Sequence, residues 1–551
     1  MAEENRLNPQ YVVLPEGASR VLGRDALRTN IAIGVAVANI IKTTLGPKGM
    51  DKMLISDLGD IIITNDGATI LNEMNLEHPV AKILVEIAKT QDKEVGDGTT
   101  SVVVIAGNLL KEAGDLIEKG VHPINIIAGY KLATARALEV LKDLTNKISI
   151  EDTDKLVKVG MVTLASKNIG DDKVKERLVK EVISAIKQVM EKVDNKIIVD
   201  KDRIKLEKKV GGSIEDTKYI NGIVIDKEVA HPNMPKRIEN AKIALLDYAL
   251  EIKKTEAEER IEITSPDQIK KFLEQEQEML KEMADKLKEV GANVVFTQKG
   301  IDDVAQHFLA KYGIMAVRRV KKSDMEALAR ATGGKIVTTI DDLSKNDLGF
   351  AGLVEERKIG NEAMVFVEKC KDPKSVSILI RASSQQALDE AERALTDLIG
   401  ALTALVEDRG DGYSGYVYGG GATYLEIARK LEEYAKEIPG KEQLAVKAYA
   451  NALKSIAATL AENSGADSVS LLVELENKHT QKNGAVYGVD VANSSIGNMS
   501  EIGVIEPARV VRQVLISAGE AVVIILRIDD MISAKGTKSS SSNPSENPEP
   551  E

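Results

Sequence analysis

The chain has 551 residues, more than one hydrophobic core accommodates, and its 43% apolar content includes no Trp and only five Phe, so several domains with Val, Ile, Leu and Ala cores are expected. The net charge of −12 is spread with both signs mixed and no basic stripe, which argues against nucleic acid as the main partner. Cys370 stands alone and His78, His122, His231, His307 and His479 are scattered, which excludes a disulfide framework and gives no zinc spacing, so each histidine reads as a satisfied polar residue.

From Gly23 to Gly46 apolar residues recur at helical spacing until the Gly and Pro of "TTLGPKGMDKM" break the pattern. "DIIITNDGATILNEM" then reads as a short β-rich run, a turn at Asn65, Asp66 and Gly67, and a new helix, which puts Asp66 at a strand-to-helix junction. A helix over "VAKILVEIAKTQDKEV" runs into "GDGTTS", and "TTSVVVIAGNLLKEAGDLIEKG" continues as an apolar helix despite its β-branched residues. Helix N-termini carry unpaired N–H groups and partial positive charge, so both Gly-rich junctions present anion-binding ends.

Short strands and turns are expected between Asp200 and Gly222, and buried strands of an α/β unit at 243–247 and 294–297. Within that unit Ser265 is a good N-cap and Pro266 a good first residue for a long charged helix. Ile269, Phe272, Leu273, Leu280, Met283, Leu287 and Val290 share one face of it, with packing on its own domain expected for the C-terminal half. The preceding segment 251–264 has little to bury and is expected to project into solvent. A further α/β texture covers 335–369, and "SVSILIRASSQQALDEAERALTDLIGALTALVED" reads as a strand, a turn and a long helix. The last 19 residues are rich in Ser, Pro and Glu and read as disordered.

Two Gly flanking Asp97 let backbone approach a ligand closely, while Asp97, Thr99, Thr100 and Ser101 offer oxygens and N–H groups together, as a loop holding a phosphate and its metal ion requires. Taken alone, Gly-Asp-Gly is also an ordinary turn. No GxxxxGK[ST] sequence occurs, which disfavours a P-loop ATPase. The Gly-rich junctions "LGPKGMDKM", "TNDGATIL", "GDGTTS" and "YGGGAT" could supply the donors, metal ligand and water-orienting group of phosphoryl transfer only if the two chain ends fold together.

In order along the chain, "TTLGPKGMDKM", "TNDGATIL", "GDGTTSVVVIAG", "GIVIDKEVAHPNMPKRIENAKIALLD", "QKGIDDVAQHFLAKYGIMAVRRVKKSDMEALARATG" and "LRIDDMI" resemble the group II chaperonins, the archaeal thermosome and its eukaryotic cytosolic relatives, with the thermosome nearer. The likeness runs from about Leu14 to Ile532. It implies a multidomain α + α/β subunit: a mostly helical equatorial ATPase domain from 1–150 and 404–532, an α/β intermediate hinge domain from 151–217 and 371–403, and an α/β apical domain over 218–370. A helical protrusion at about 251–285 and a disordered tail at 533–551 complete it.

By the same resemblance Asp97 corresponds to the Mg²⁺ ligand, Gly98, Thr99, Thr100 and Ser101 wrap the phosphates of ATP, and Leu45, Gly46, Pro47 and Gly49 line the other side. Asp66 falls at the water-activating aspartate, Asp397 at the intermediate-domain aspartate that completes the site on domain closure, and Lys167 resembles a γ-phosphate-sensing lysine. Gly420, Gly421 and Glu506 map to ribose and adenine contacts. Without the family pattern, Asp66 and Asp397 read as capping or surface carboxylates.

The implied partners are homologous subunits in an eight- or nine-membered double ring and non-native protein clients captured on apolar apical surface and enclosed by a built-in lid. "RASSQ", "EDRGDGYSGYVYGGG" and "GVDVANSSIGNMSEIG" depart from the family pattern, which suggests a specialised member of a mixed ring. Abundant Glu and Lys fits a heat-adapted protein. No signal peptide is recognised and runs such as "IAIGVAVANII" fall short of the roughly 20 residues of a membrane span, so a cytoplasmic location is expected. A small-molecule kinase or synthetase, which predicts a polar acceptor pocket, and a structural ring protein with a vestigial site are the competing readings.

Overall fold

The computed structural model describes residues 19–55, 59, 61–194, 196–252 and 266–533. The expected projection beyond Ile252, the Ser265 cap, the Ile269 side chain and the tail beyond Ser533 lie outside the described residues.

The first chain segment is β1 (Ser19–Leu22), α1 (Gly23–Ile41), a hairpin of β2 (Lys52–Ile55) and β3 (Ile61–Thr64), then α2 (Gly67–Glu73), α3 (Pro79–Val95), α4 (Thr99–Glu118) and α5 (Pro123–Leu144). Pro79 and Pro123 occupy first helical positions behind His78 and His122, whose Nδ1 atoms accept from Val80 and Ile124 N–H groups; the proline has no N–H to leave unpaired. In α4 the β-branched run Val102 to Ile105 is fully buried, so tertiary packing overrides its weak helix propensity.

The middle begins with α6 (Thr153–Leu164), α7 (Asp172–Val189), β4 (Glu191–Val193), β5 (Lys196–Ile198), β6 (Ile204–Val210) and β7 (Lys218–Ile220). An α/β body follows: β8 (Gly222–Ile225), β9 (Arg237–Leu246), α8 (Pro266–Glu289), β10 (Val294–Thr297), α9 (Asp303–Lys311), β11 (Met315–Val317), α10 (Lys322–Thr332), β12 (Ile336–Val337), β13 (Gly349–Ile359) and β14 (Glu362–Glu368). Its sheet runs β11-β10-β9-β13-β14-β8, with β12 also on β9. Strands β9, β10 and β11 are parallel and, but for Thr297, apolar where they pair, as strands covered on both faces require. Leu280 and Leu287 of α8 are buried against this body, whereas Phe272 and Leu273 are 40% and 57% exposed. The apolar face of this helix is therefore covered in its C-terminal half, the half expected to pack on its own domain.

The chain returns through β15 (Val376–Ala382), parallel to β6 and antiparallel to β7, and α11 (Gln385–Val406). It then adds β16 (Tyr416–Tyr418), α12 (Ala422–Ala435), α13 (Glu442–Leu453), α14 (Ser455–Ser464), α15 (Ser468–His479), the hairpin of β17 (Tyr487–Asp490) and β18 (Ser495–Asn498), α16 (Met499–Ile502), β19 (Ile505–Pro507), α17 (Ala508–Leu526) and β20 (Asp530–Ser533). One core joins α1 to α5 with α12 to α15 and α17, a second joins α6 and α7 with β15 and α11, and a third fills the α/β body. The ends are stitched by the antiparallel pair β1–β20 and by Tyr130 against Tyr449, ring centroids 5.5 Å apart and edge to face. Multidomain α + α/β architecture, with a mostly helical body formed from both ends, agrees with the expected fold class.

Candidate functional site

A cavity of about 310 Å³ opens where the helical body meets α6 and α11. Asp66 enters it as the N-cap of α2, its Oδ2 accepting from Thr69 N at 2.8 Å and its Oδ1 from Thr99 Oγ1 at 2.9 Å. Gly96 and Gly98 hold left-handed conformations, φ 70° and 81°, on either side of Asp97, so the chain turns sharply from the end of α3 into the first turn of α4. Asp97 Oδ1 accepts from Gly98 N at 2.6 Å and Oδ2 from Thr163 Oγ1 of α6 at 3.2 Å, while the buried Gln91 amide donates to its carbonyl at 2.8 Å. The first turn of α4 has N–H groups at Thr99 and Thr100 with no carbonyl of their own helix to meet, at the positive end of a helix of 20 residues.

Lys167, in the loop after α6, reaches Asp397 of α11 with Nζ 2.7 Å from Oδ2, both side chains nearly shielded from solvent. The approach of α11 depends on glycine: a Cβ on Gly400 would stand 2.7 Å from Gly96 Cα, so only two facing glycines let this helix lie against the Asp97 turn.

The charges are unbalanced. Five carboxyl side chains, of Asp66, Asp97, Asp397, Asp490 and Glu506, and one lysine line the cavity. Burial pushes Asp397 up to about 8, with Lys167 opposing and Asp66 adding to the shift. Burial likewise raises Asp97, against the Gly98 N–H, and takes Glu506 to about 8 with a smaller push from Asp97. For Lys167 burial disfavours the ammonium, but Asp397 and Asp66 outweigh it and hold the proton. Asp66, unlike Asp97 and Asp397, is shifted down: burial works against this, and Lys167 with the Thr69 N–H overcomes it.

Glu506 gives a stability prediction. Its carboxyl binds a proton more tightly folded than unfolded, so the folded state holds more protons between about pH 4 and about pH 8, and stability falls as pH rises through that window. A Glu506→Gln chain is expected to lose this part of the fall and to melt higher than the parent at pH 8 to 9 without nucleotide; equal melting curves there contradict it.

Leu45, Gly46, Pro47, Asp66, Asp97, Gly98, Thr99, Thr100, Lys167, Asp397, Gly420 and Glu506 all line the cavity, although the sequence spreads them over more than four hundred positions. Gly49, Ser101 and Gly421 lie off its wall. Gly49 closes a turn in which a Cβ would meet Thr44 O at 2.3 Å, Ser101 is partly buried in α4, and Gly421 is the left-handed N-cap of α12 against Ala457. Sequence reading missed Asn65, which donates to Ser166 O, as well as Thr163 and the stretch from Val489 to Ala492. Asn65 lay beside Asp66 in "TNDG" and was the one legible neighbour; the others carry no local signal. The stretch at 489–492 belongs to "GVDVANSSIGNMSEIG", so that unusual segment forms cavity wall.

Residues 37–536 match the family model of the TCP-1/cpn60 chaperonin family. The chain belongs to that family. As a group II chaperonin subunit it is 56% identical over 523 residues to a thermosome subunit of Pyrococcus horikoshii, spanning 95% of this chain and 94% of that one. It is 55% identical over 523 residues to thermosome subunit beta of Thermococcus kodakarensis, with coverage of 95% and 94%. A thermosome subunit of Methanocaldococcus jannaschii is 53% identical over 527 residues, 96% of each chain. Such a subunit serves as a molecular chaperone. Among the described residues no helix is long and apolar enough to cross a membrane.

Proposed function

We propose that this chaperonin subunit binds ATP with Mg²⁺ in the cavity, hydrolyses it to ADP and phosphate, and uses the cycle to close a built-in lid over non-native proteins in a double ring of eight or nine homologous, mixed subunits in the cytoplasm. The observation that carries the reading is the convergence of Asp66, Asp97, Lys167 and Asp397 from two hydrophobic cores on one cavity. On this reading the equatorial domain comprises 1–150 and 404–532, the intermediate domain 151–217 and 371–403, and the apical domain 218–370 with its protrusion at about 251–285.

The donor set suits a magnesium nucleotide. Among the described residues no group of three or more His, Cys, Asp or Glu could hold a metal on its own. Mg²⁺ is commonly held by one or two carboxylates together with substrate phosphates, and Asp97 at the start of α4 offers such a carboxylate. Asp97 would hold the ion, which supplies neutralisation of phosphate charge. Gly98, Thr99 and Thr100 bind phosphate oxygens through the start of α4, and Lys167 holds its proton toward the terminal phosphate. Asp66 stays ionised, so its oxygens accept from the attacking water and orient it. Asp397 completes the site from α11, so turnover requires that helix to be docked. Gly46, Pro47 and Gly420 with Glu506 enclose the nucleoside.

The test is Mg²⁺-dependent ATP hydrolysis at high temperature by the chain alone and mixed with related subunits. Turnover by the parent is expected, with an Asp97→Ala chain losing metal-dependent activity by at least about a hundredfold. A parent inert in every assembly rejects the reading and favours a structural ring member.

A further inference from the structure

His479 is buried, its side chain 1% exposed, and lies outside the cavity wall. Its Nδ1 is 3.0 Å from Glu426 Oε2 and its Nε2 is 2.9 Å from the carbonyl oxygen of Tyr487. A carbonyl only accepts, so Nε2 donates. Glu426 is held below the usual carboxylate range: burial opposes this, and hydrogen bonds from His479 and Arg429 prevail. With Nδ1 against Glu426 Oε2 and Nε2 against Tyr487 O, the ring bridges α12 and the start of β17 through both nitrogens. Arg429 occupies Glu426 as well, with Nη2 at 2.6 Å from Oε1 and Nε at 3.1 Å from Oε2. Nearby, Lys454 ties Glu432 of α12 to Glu476 of α15 at 2.7 and 2.6 Å, fixing the two helices that carry Glu426 and His479.

Each end of this link lies a few residues along the chain from the cavity wall, Glu426 from Gly420 and Tyr487 from Val489. Glu426 lies in the second turn of α12, just past the Gly420–Gly421 entry, and Tyr487 opens β17, whose Val489 and Asp490 face the cavity. Strand β17 crosses that glycine turn closely: Val489 N donates to Gly420 O at 2.8 Å, and a Cβ on Gly488 would meet the same oxygen at 2.8 Å. At the start of the strand Tyr487 pairs with Asn498 of β18, and His479 adds a side-chain bond that ties this end to α12.

We infer that His479 is a positioning residue for nucleotide binding: bonded through both ring nitrogens, it clamps the start of β17 to α12 and holds the nucleoside-side wall against the Gly420 turn. The inference rests on the nucleotide reading of the cavity. Loss of the clamp loosens a wall that touches substrate and transition state alike, so it weakens binding without slowing chemistry.

The test compares the assembled parent with His479→Gln and Glu426→Gln chains. KM for ATP is expected to rise on the order of tenfold, about one charge-assisted hydrogen bond, with kcat unchanged. Amide hydrogen exchange is expected to quicken at residues 487–490 while α13 and α17 stay as protected as in the parent. A lower kcat at unchanged KM, or unchanged exchange at 487–490, overturns the inference. If His479→Gln does not fold, Glu426→Gln decides by the same two readouts. A parent that neither binds nor hydrolyses ATP rejects the nucleotide reading itself, whereas an active parent with variants of equal KM rejects only the clamp.

Discussion

An Asp397→Asn chain is expected to bind ATP and keep its fold while turning ATP over about 10² to 10⁴ times more slowly than the parent. The substitution removes a titrating proton and almost nothing else. Asparagine keeps the size of the side chain and an oxygen that Lys167 Nζ, now 2.7 Å from Asp397 Oδ2, can still reach. What disappears is a carboxyl that burial has pushed up to about 8, so that it can exchange a proton near neutral pH. Asp397→Ala is the harsher companion. It leaves the buried Lys167 Nζ without its hydrogen-bond partner, which Asn would still supply, and an unsatisfied buried donor costs about 1–3 kcal/mol. The pair of variants therefore separates chemistry from stability: the Asn chain should lose turnover with a nearly parental melting curve, and the Ala chain should lose both. An Asn chain with parental turnover removes Asp397 from the reaction.

Gly400→Val is expected to produce the second large effect, at a residue that does not line the cavity. Any Cβ there stands 2.7 Å from Gly96 Cα, 3.0 Å from Val95 O and 3.1 Å from Gly96 N. All three are backbone atoms of the turn that presents Asp97, so none can swing aside. The relief available is for α11 to move outward, and Asp397 lies one helical turn before Gly400. Turnover should therefore fall by at least about tenfold, and overpacking of this kind costs about 1–3 kcal/mol. Gly400→Ala should show the same direction with a smaller loss. Gly114→Ala is the control, because its new Cβ would meet only Ile31 Cγ2 at 3.4 Å, an ordinary contact in the middle of a helix. Full activity in Gly400→Ala shows that α11 reaches the loop without the close glycine contact.

These two residues also mark where sequence reading stops. Asp397 was legible only through the family pattern in "ERALTDL"; on local grounds it was a carboxylate on a helix. Gly400 carried no signal, because a glycine inside a helical run is ordinary and the reason for it lies about three hundred residues away at Gly96. Asp66 was legible locally, since a strand, an Asn-Asp-Gly turn and a helix in succession place the aspartate at an N-cap. His479 was read as a satisfied polar histidine. It is satisfied, but its partners Glu426 and Tyr487 belong to other elements, and nothing in the spacing names them. On α8 the expected packing of the C-terminal half holds, with Leu280 and Leu287 buried while Phe272 and Leu273 nearer the N-terminus stay exposed, because periodicity fixes which residues share a face and the partner elements fix how much of it is covered.

By itself the sequence determined the helices, the glycine turns and the caps, because these depend on hydrogen bonds and dihedral preferances within a few residues. Its ordered motifs determined the family. The tertiary structure decided which turns share one cavity, that Gly49, Ser101 and Gly421 stand behind its wall, and which carboxyls hold their protons. Desolvation and Coulomb interaction act over a few ångströms of space regardless of separation along the chain, so the proton affinities of Asp66, Asp97, Asp397 and Glu506 exist only once the two ends have folded together.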